Sequence, residues 1–499
     1  MGADLTRASA PAVSLYEVQP SEINMKTWIE NGVVIAWIDG RHQVLEGAVV
    51  VIEKDRITHV GPTNGQAPSP DDNRINAQGR IVMPGLVNTH LHVTDTLFTK
   101  GYLEESSNIS SQAKETNYGT LYKMLPAVRH AIDPEAQVIA AECAFAELAR
   151  TGSTTVVELG YDYEVGGNGD IAMTEAVAET GIRVGLRCYS APRFRAMHYG
   201  HAPGGKVWYE AYPGNGRKRF RDCVDFCVGW DGKFDGRLRT MLAPGQIDTC
   251  DPAMLRETRE AADAHKLLIQ VHAGQSPNEY ERIRSQYGMT TVDYMQSTGM
   301  LGPDVLIGHG QIMTADGNMA SLESREVAAL RDSQTTVVHL PWVKARRGGV
   351  INSIEKYKQM GIRQSIGTDT FPFDLFNDMR MAATVCRIVE HSVSVATSHD
   401  VFTMATVGGA DALGRPDLGR LAVGCKADIV FVRTDTFKAA PIYDPFKFLV
   451  LSASGDDVDR VIVEGTTIVE GGRVLTVDMP RAVARLKEAA RAVRERVVL

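Results

Sequence analysis

At 499 residues, with 44% hydrophobic and 23% charged side chains, the chain is too long for one small domain and has ample material for a buried core. Its 61 acidic and 53 basic residues leave a formal net charge of -8, too mild for a nucleic-acid or anionic-membrane binder and compatible with a small-molecule partner. No apolar run approaches the ~20 residues that span a bilayer, and residues 1–20 lack an apolar core of signal-peptide length, so a cytoplasmic protein is expected.

In chain order, residues 1–24 form a polar arm with Pro11 and Pro20, expected to be loosely packed or engaged with another subunit. Residues 25–83 hold short β-rich runs punctuated by Asn-Gly, Asp-Gly and Gly-Pro, read as antiparallel strands. Residues 84–417 alternate short apolar strands with helix-length amphipathic segments, the pattern of a parallel α/β fold. The candidate strands are 86–93, 153–160, 182–189, 238–245, 267–274, 305–310, 335–341 and 362–370, and eight is the number that closes a (β/α)₈ barrel. The connections 95–133 and 190–236 exceed the usual loop length and are read as a lid or substrate wall. Residues 418–477 return to strand texture and are expected to join 25–83 in one small β-sandwich. Residues 478–499 read as a charged helix with Val483, Leu486, Ala490 and Val493 on one face.

The seven cysteines are odd in number and scattered, unlike a disulfide framework. Cys223 and Cys227, four apart on a predicted helix, read as two buried thiols rather than a metal pair. Neither a GxGxxG between strand and helix nor a GxSxG elbow occurs.

The sharpest chemical signal is the placement of His90, His92, His272, His309 and Asp369 at or near the C-terminal ends of strands one, one, five, six and eight, which converge on a barrel mouth. His90 and His92 stand two apart on a strand, so both can face one ion. An HxH pair alone is weak. The full set of imidazoles plus one carboxylate suits Zn²⁺, Fe²⁺, Co²⁺ or Mn²⁺ with an open position for water.

The motifs PGLVNTHLH (84–92), QVHAG (270–274), IGHG (307–310), VVHLPW (337–342), GTDTFPF (367–373) and LGRLAVGCKADIVFV (418–432) resemble the amidohydrolase superfamily. The resemblance runs from about residue 26 to 475. It is nearest to the branch of triazine aminohydrolases and chlorohydrolases and their relatives that hydrolyse phenylureas and thiocarbamates. It implies a (β/α)₈ TIM barrel with a small β-sandwich built from both chain ends. His90, His92, His272 and Asp369 would hold one divalent metal, zinc by default. His309 would hydrogen-bond the attacking water or the substrate, and Asp369 would carry the proton from that water to the leaving nitrogen. Binuclear members usually have a carboxylated lysine on strand four. Residues 237–245 contain no lysine, so one metal is expected.

One position departs from the branch. Ring deaminases of this group usually place Glu three residues after the strand-five histidine, whereas this chain has Gln275, which cannot shuttle a proton. Glu279 is a substitute only if the loop folds back, and otherwise reads as a solvated first-turn helix residue. His339 and Trp342, in the strand-seven motif, would border the substrate, with barrel packing the alternative for His339. Phe371, Pro372, Phe373 and Phe376 offer an apolar wall or ordinary packing. Lys344, Arg346 and Arg347 could bind an acidic group but read first as a solvated loop face. Tyr199, Trp208, Tyr209 and Tyr212 invite an aromatic substrate or a subunit contact, and His198 and His201 are secondary candidates.

The leading expectation is a mononuclear metal hydrolase that cleaves an amide, urea or (thio)carbamate-type bond of a small aromatic or heterocyclic molecule. The alternative is an aminohydrolase or chlorohydrolase of a nitrogen heterocycle. A non-catalytic scaffold ranks third, because scaffolds of this fold usually lose their metal ligands. The resemblance and the N-terminal arm favour a homo-oligomer, with no nucleic-acid or membrane partner.

Overall fold

A computed structural model describes residues 25–100, 119–160, 171–201, 207–314, 317, 321–350 and 353–498. The N-terminal arm, residues 101–118 of the first long connection and residues 202–206 of the second lie outside them.

Eight parallel strands run Leu86–Leu91, Ser153–Leu159, Arg187–Ala191, Leu238–Pro244, Leu268–Ala273, Val305–His309, Thr336–His339 and Arg363–Ile366, each hydrogen-bonded to the next in chain order. The ring closes between the eighth and the first at their C-terminal ends. Leu91 bridges Asp369 in parallel there, the Asp369 N–H donates to the His90 carbonyl (2.9 Å) and the His92 N–H to the Asp369 carbonyl (3.0 Å). Apolar side chains that include Val87, Val157, Met241, Leu306 and Val338 fill the interior. This is a (β/α)₈ barrel with extra sheets supplied by the chain ends.

Helices cover the barrel where capping and periodicity foretell them. Pro134–Arg150 and Pro252–His265 each start with proline at the first helical position. Asp133 and Asp251 cap them by accepting from the Ala136 and Met254 N–H groups. The third strand is displaced from its predicted span of 182–189. The helix Ile171–Val184 continues through Ile182 and Val184, which pack on the core, and Gly185, at φ +110°, turns the chain before the strand begins at Arg187.

Strands from both ends share a seven-stranded sheet, in which Ile429–Arg433 runs antiparallel to Arg80–Pro84. A four-stranded sheet packs against it through Ile29, Val50 and Ile57 on one side and Val34, Val82 and Phe431 on the other. Two pairings depart from the antiparallel expectation: Lys26–Glu30 pairs in parallel with Asn73–Asn76, and Val33–Ile38 with Arg80–Pro84. Long excursions separate these partners, and only a tight hairpin would have forced antiparallel pairing.

Arg187, 0% exposed on the third barrel strand, ties the barrel to the shared sheet. Its guanidinium donates to Thr155 Oγ1 (3.0 Å), to Glu464 Oε1 (2.7 Å) and to the Asp428 carboxylate. The C-terminal helix spans Met479–Arg496 and packs on Pro134–Arg150, with Leu486, Ala490 and Val493 inward. Val483 is instead 40% exposed, one step outside the contact stripe. Cys223 and Cys227 are both buried thiols. No helix among the described residues is long and apolar enough to cross a membrane.

Candidate metal centre

At the barrel mouth the fold gathers five side chains from four strand ends, and all five are buried. His92 Nε2 lies 3.2 Å from His272 Nε2 and 3.4 Å from Asp369 Oδ1, and His90 Nε2 lies 3.7 Å from the same oxygen. The donor atoms of His90, His92 and Asp369 fall within 4.8 Å of one another, as do those of His90, His272 and His309. Two donors bound to a tetrahedral ion at about 2.0–2.1 Å stand about 3.3–3.4 Å apart, so the spacing matches ligands around one small cation.

Hydrogen bonding supports the same fit. His92 Nδ1 donates to the Leu159 carbonyl (2.9 Å), which turns the lone pair of Nε2 toward the cluster. His272 Nε2 faces that lone pair at 3.2 Å. Both ring nitrogens of His90, Nδ1 of His272 and Nε2 of His309 are buried without a hydrogen-bond partner, a costly state that an ion or a substrate would relieve. Space is made for this arrangement: a Cβ at Gly308 would come within 2.5 Å of the His90 ring, and one at Gly367 within 2.7 Å of the His90 carbonyl. His309 (φ +78°) and Asp369 (φ +61°) adopt left-handed backbone conformations that non-glycine residues rarely take, a strain found most often at functional positions.

Burial, with the Arg193 charge adding to it, holds His90 down to about 3, so the ring is neutral and ready to ligate. Burial likewise lowers His92, His272 and His309. Burial pushes Asp369 up to about 6, opposed by the charges of Arg347 and Arg346.

A cleft with an empty volume of about 500 Å³ opens over the cluster, lined at its inner end by His92, His272 and Asp369. Leu121, Leu125 and Arg129 from the first long connection also face it. Tyr199, Arg193 and Arg195 come from the second, and Gln246, Gln275, Arg347 and Thr370 from other strand-end loops. Gln275 Oε1 accepts from Gln246 Nε2 (3.0 Å), so two neutral amides are joined at the cleft wall.

Glu279 is placed as neither sequence alternative had it. The loop does fold back, and the residue is 0% exposed, but its carboxylate accepts from the Gly274 N–H (2.6 Å) and the Gln275 N–H (3.1 Å), behind the wall rather than in it. Burial raises its pKa well above the usual carboxylate range, and the Asp248 charge adds to this.

His339 does not border the cleft. Strand residues alternate sides, so with Val338 in the barrel interior His339 points to the helices, where Nε2 pairs with Gln364 Oε1 (2.7 Å) and the ring tilts over Tyr357. Trp342 and Phe371 are also absent from the lining. Trp342 lies on the short helix Pro341–Ala345, where its N–H donates to Asp378. The Phe371 ring is covered by Arg346 and Lys100, while Phe373 and Phe376 are core residues.

The loop after strand seven is not simply a solvated face. Arg347 lines the cleft, and Arg346 donates to the Phe371 carbonyl (2.9 Å) and Thr370 Oγ1 (2.5 Å), bracing the turn that carries Asp369. Burial, with Arg347 nearby, lowers Lys344 to about 8. Of the four long-loop aromatics only Tyr199 lines the cleft; Tyr209 donates to Asp248 (2.6 Å), Tyr212 stacks on His198 and Trp208 is 41% exposed. The sequence reading overlooked Arg193 and Arg195. Their signal was the R-F-R alternation directly after strand three, which extends that strand along Ala243 and Pro244 and sends both arginines to one side.

Comparison with known proteins adds the family. The model of the amidohydrolase family matches residues 81–468. The chain is 28% identical over 456 residues to a 5'-deoxyadenosine deaminase of Methanosarcina acetivorans, covering 89% of this chain and 93% of that protein. Among solved structures it superposes on an adenosine deaminase from Xanthomonas campestris with bound zinc at a TM-score of 0.78, with 21% identity over 94% of this chain and 99% of that one. It also superposes on an atrazine chlorohydrolase from Arthrobacter aurescens complexed with zinc, at a TM-score of 0.77 and 22% identity, covering 93% of this chain and 100% of that one. At those identities the likeness to the two structures is one of fold.

Proposed function

The chain belongs to the amidohydrolase family, and on that premise we propose that it hydrolyses a carbon–nitrogen bond of a small nitrogen-heterocyclic molecule at a single divalent metal. The observation that carries this is the convergence of His92, His272 and Asp369 at 3.2–3.4 Å, with His90 beside them, at the floor of the cleft. Zinc is the metal we propose, because the donor set is imidazole plus carboxylate and both structural neighbours hold zinc. When bound, the ion supplies a Lewis acid that polarises the scissile bond and makes water nucleophilic near neutral pH.

The protein's own groups do the rest. Asp369 accepts the proton that the attacking water loses and returns it to the leaving nitrogen, so its backbone is held from both sides by His90 and His92. His309 offers Nε2 to the substrate oxygen. Gln275, held by Gln246, orients the neutral part of the substrate.

An acyl bond attached to the ring, as in an amide, urea or carbamate, suits this site best. Such a carbonyl is already electrophilic and needs no proton on the ring before attack. No carboxylate other than Asp369 lines the cleft among the described residues, and Glu279 is taken up by two backbone N–H groups. A second reading, hydrolytic deamination of the ring carbon, is favoured by the deaminase names of the relatives. We place the working enzyme in the cytoplasm as a homo-oligomer, on the strength of the family resemblance.

Mass analysis of products from the zinc-loaded protein decides between the two. Release of an amine with a carboxylic or carbamic acid supports acyl cleavage. Ammonia with an intact hydroxylated ring establishes deamination, and no turnover across amides, ureas, carbamates and aminated heterocycles overturns both.

A further inference from the structure

Two glutamines stand side by side in the cleft wall, Gln246 beyond the end of strand four and Gln275 beyond the end of strand five, three residues after His272. Their backbones are pinned. The Gln246 carbonyl accepts from the Thr249 N–H (3.0 Å) and from Thr249 Oγ1 (2.9 Å), and the Gln275 N–H donates to Glu279 Oε2 (3.1 Å). Gln246 Nε2 donates to Gln275 Oε1 at 3.0 Å, so the side chains brace each other as well.

One hydrogen bond does not satisfy two amides, since each carries a carbonyl oxygen and an NH₂ group. Gln246 is 3% exposed, and its Oε1 is buried without a hydrogen-bond partner. At the other end of the pair, the Gln275 NH₂ meets no acceptor among the described residues. A bare buried acceptor is costly, and on a residue that lines the cleft its missing partner is a bound molecule. The pattern does not depend on which glutamine donates to the other. Two amides joined by one N–H···O bond always keep a carbonyl at one end and an NH₂ at the other, so the pair presents an acceptor and a donor together and carries no charge.

We propose that the substrate turns toward these glutamines an uncharged ring edge with an N–H donor and an acceptor on the same side, the N–H received by Gln246 Oε1 and the acceptor by the Gln275 NH₂. Two kinds of ring share this chemistry: a lactam or cyclic urea, with N–H beside C=O, and an amidine-type ring, with NH₂ beside a ring nitrogen. This deepens the hydrolase reading, on which it rests, by naming the class of heterocycle that the cleft accepts. A ring with acceptors alone would set one of them against Gln246 Oε1, and a hydrocarbon ring would leave both ends of the pair bare. A site built to hydrogen-bond its substrate rejects such analogues more strongly than it rejects a change of one methylene.

The probes are two pairs of isomers, equal in size and uncharged near neutral pH: 2-pyridone against 4-pyridone, and 2-aminopyrimidine against 5-aminopyrimidine. In each pair only the first has donor and acceptor on one side of the ring. NMR titration of the zinc-loaded protein is expected to give that isomer a Kd lower by roughly tenfold. The pyridones read the lactam edge and the aminopyrimidines the amidine edge, so a preference in either pair upholds the proposal and identifies the ring. It should persist in the metal-free protein and disappear in Gln246→Leu and Gln275→Leu. The isomer comparison uses the wild-type chain, so poor folding of a variant does not remove the test. Equal affinities within both pairs overturn the proposal. So does a preference that vanishes with the metal, because the ion would then be reading the ring, and so does one that survives both leucine variants. Failure of the hydrolase reading looks different: the isomer preference is present, but no substrate of the panel is turned over.

Discussion

The imidazoles of His92 and His272 lie almost parallel, 7° between planes, with their Nε2 atoms 3.2 Å apart although 180 positions separate them in the chain. Because Nδ1 of His92 is committed to the Leu159 carbonyl, its Nε2 presents a lone pair to the cluster, the orientation that a metal ligand needs. Purified protein should therefore carry about one divalent ion per chain, read by elemental analysis. His272→Ala should release the ion and leave the far-UV spectrum and the melting temperature of the metal-free protein unchanged. Two equally tight equivalents would contradict the single-site reading.

Asp369→Asn preserves size and hydrogen-bonding reach but cannot accept a proton. Turnover should fall by roughly 10²-fold or more, the usual scale for a general acid–base group. The fold should survive, because the backbone N–H and carbonyl that close the barrel are unchanged. Near-normal turnover in a metal-loaded variant would assign proton transfer to another group.

Metal affinity should depend on pH through Asp369. Burial raises this carboxyl to about 6 in the metal-free protein, while His90 lies at about 3. Above pH 6 the carboxylate is ionised and the affinity is level. As the pH falls below 6 a proton must leave for the metal to bind, and the apparent affinity should drop by about tenfold per pH unit. Chelator competition from pH 4.5 to 8 measures this. A curve flat through pH 6, or one unaltered in Asp369→Asn, would count against Asp369 as a ligand.

Glu279→Gln should act through the turn rather than through the chemistry. An amide offers only one oxygen to the two N–H groups of Gly274 and Gln275, leaving one of them facing a donor at a cost of about 1–3 kcal/mol. The expected outcome is a lower melting temperature and a raised KM, with kcat reduced less. A collapse of kcat alone, with stability unchanged, would make Glu279 a proton donor and favour ring deamination.

Arg187→Ala should cost about 3–5 kcal/mol in chemical denaturation, because it strands Asp428 and Glu464 at the seam between barrel and shared sheet. A loss under about 1 kcal/mol would mean that water compensates both carboxylates.

Much of the architecture was legible because its signals are local. Apolar runs bounded by turn residues marked the strands, and asparates before proline marked the starts of two helices, features that depend on a few neighbouring residues. The third strand was misplaced because Ile182 and Val184 satisfy a helix face as well as a strand, a choice made by packing against the core.

By itself the sequence determined that three histidines and an aspartate stand at the ends of strands one, five and eight, since chain order and strand period dictate where those side chains emerge. Only the tertiary structure decided which other groups share their cleft. His339 falls on the helix side by strand alternation, Glu279 is withdrawn behind Gly274 and Gln275, and Arg193, Arg195 and Arg347 converge from loops more than 150 residues apart. The direction of a side chain follows from its local backbone, but what it meets there depends on the closing of the whole barrel, which no short stretch of sequence encodes.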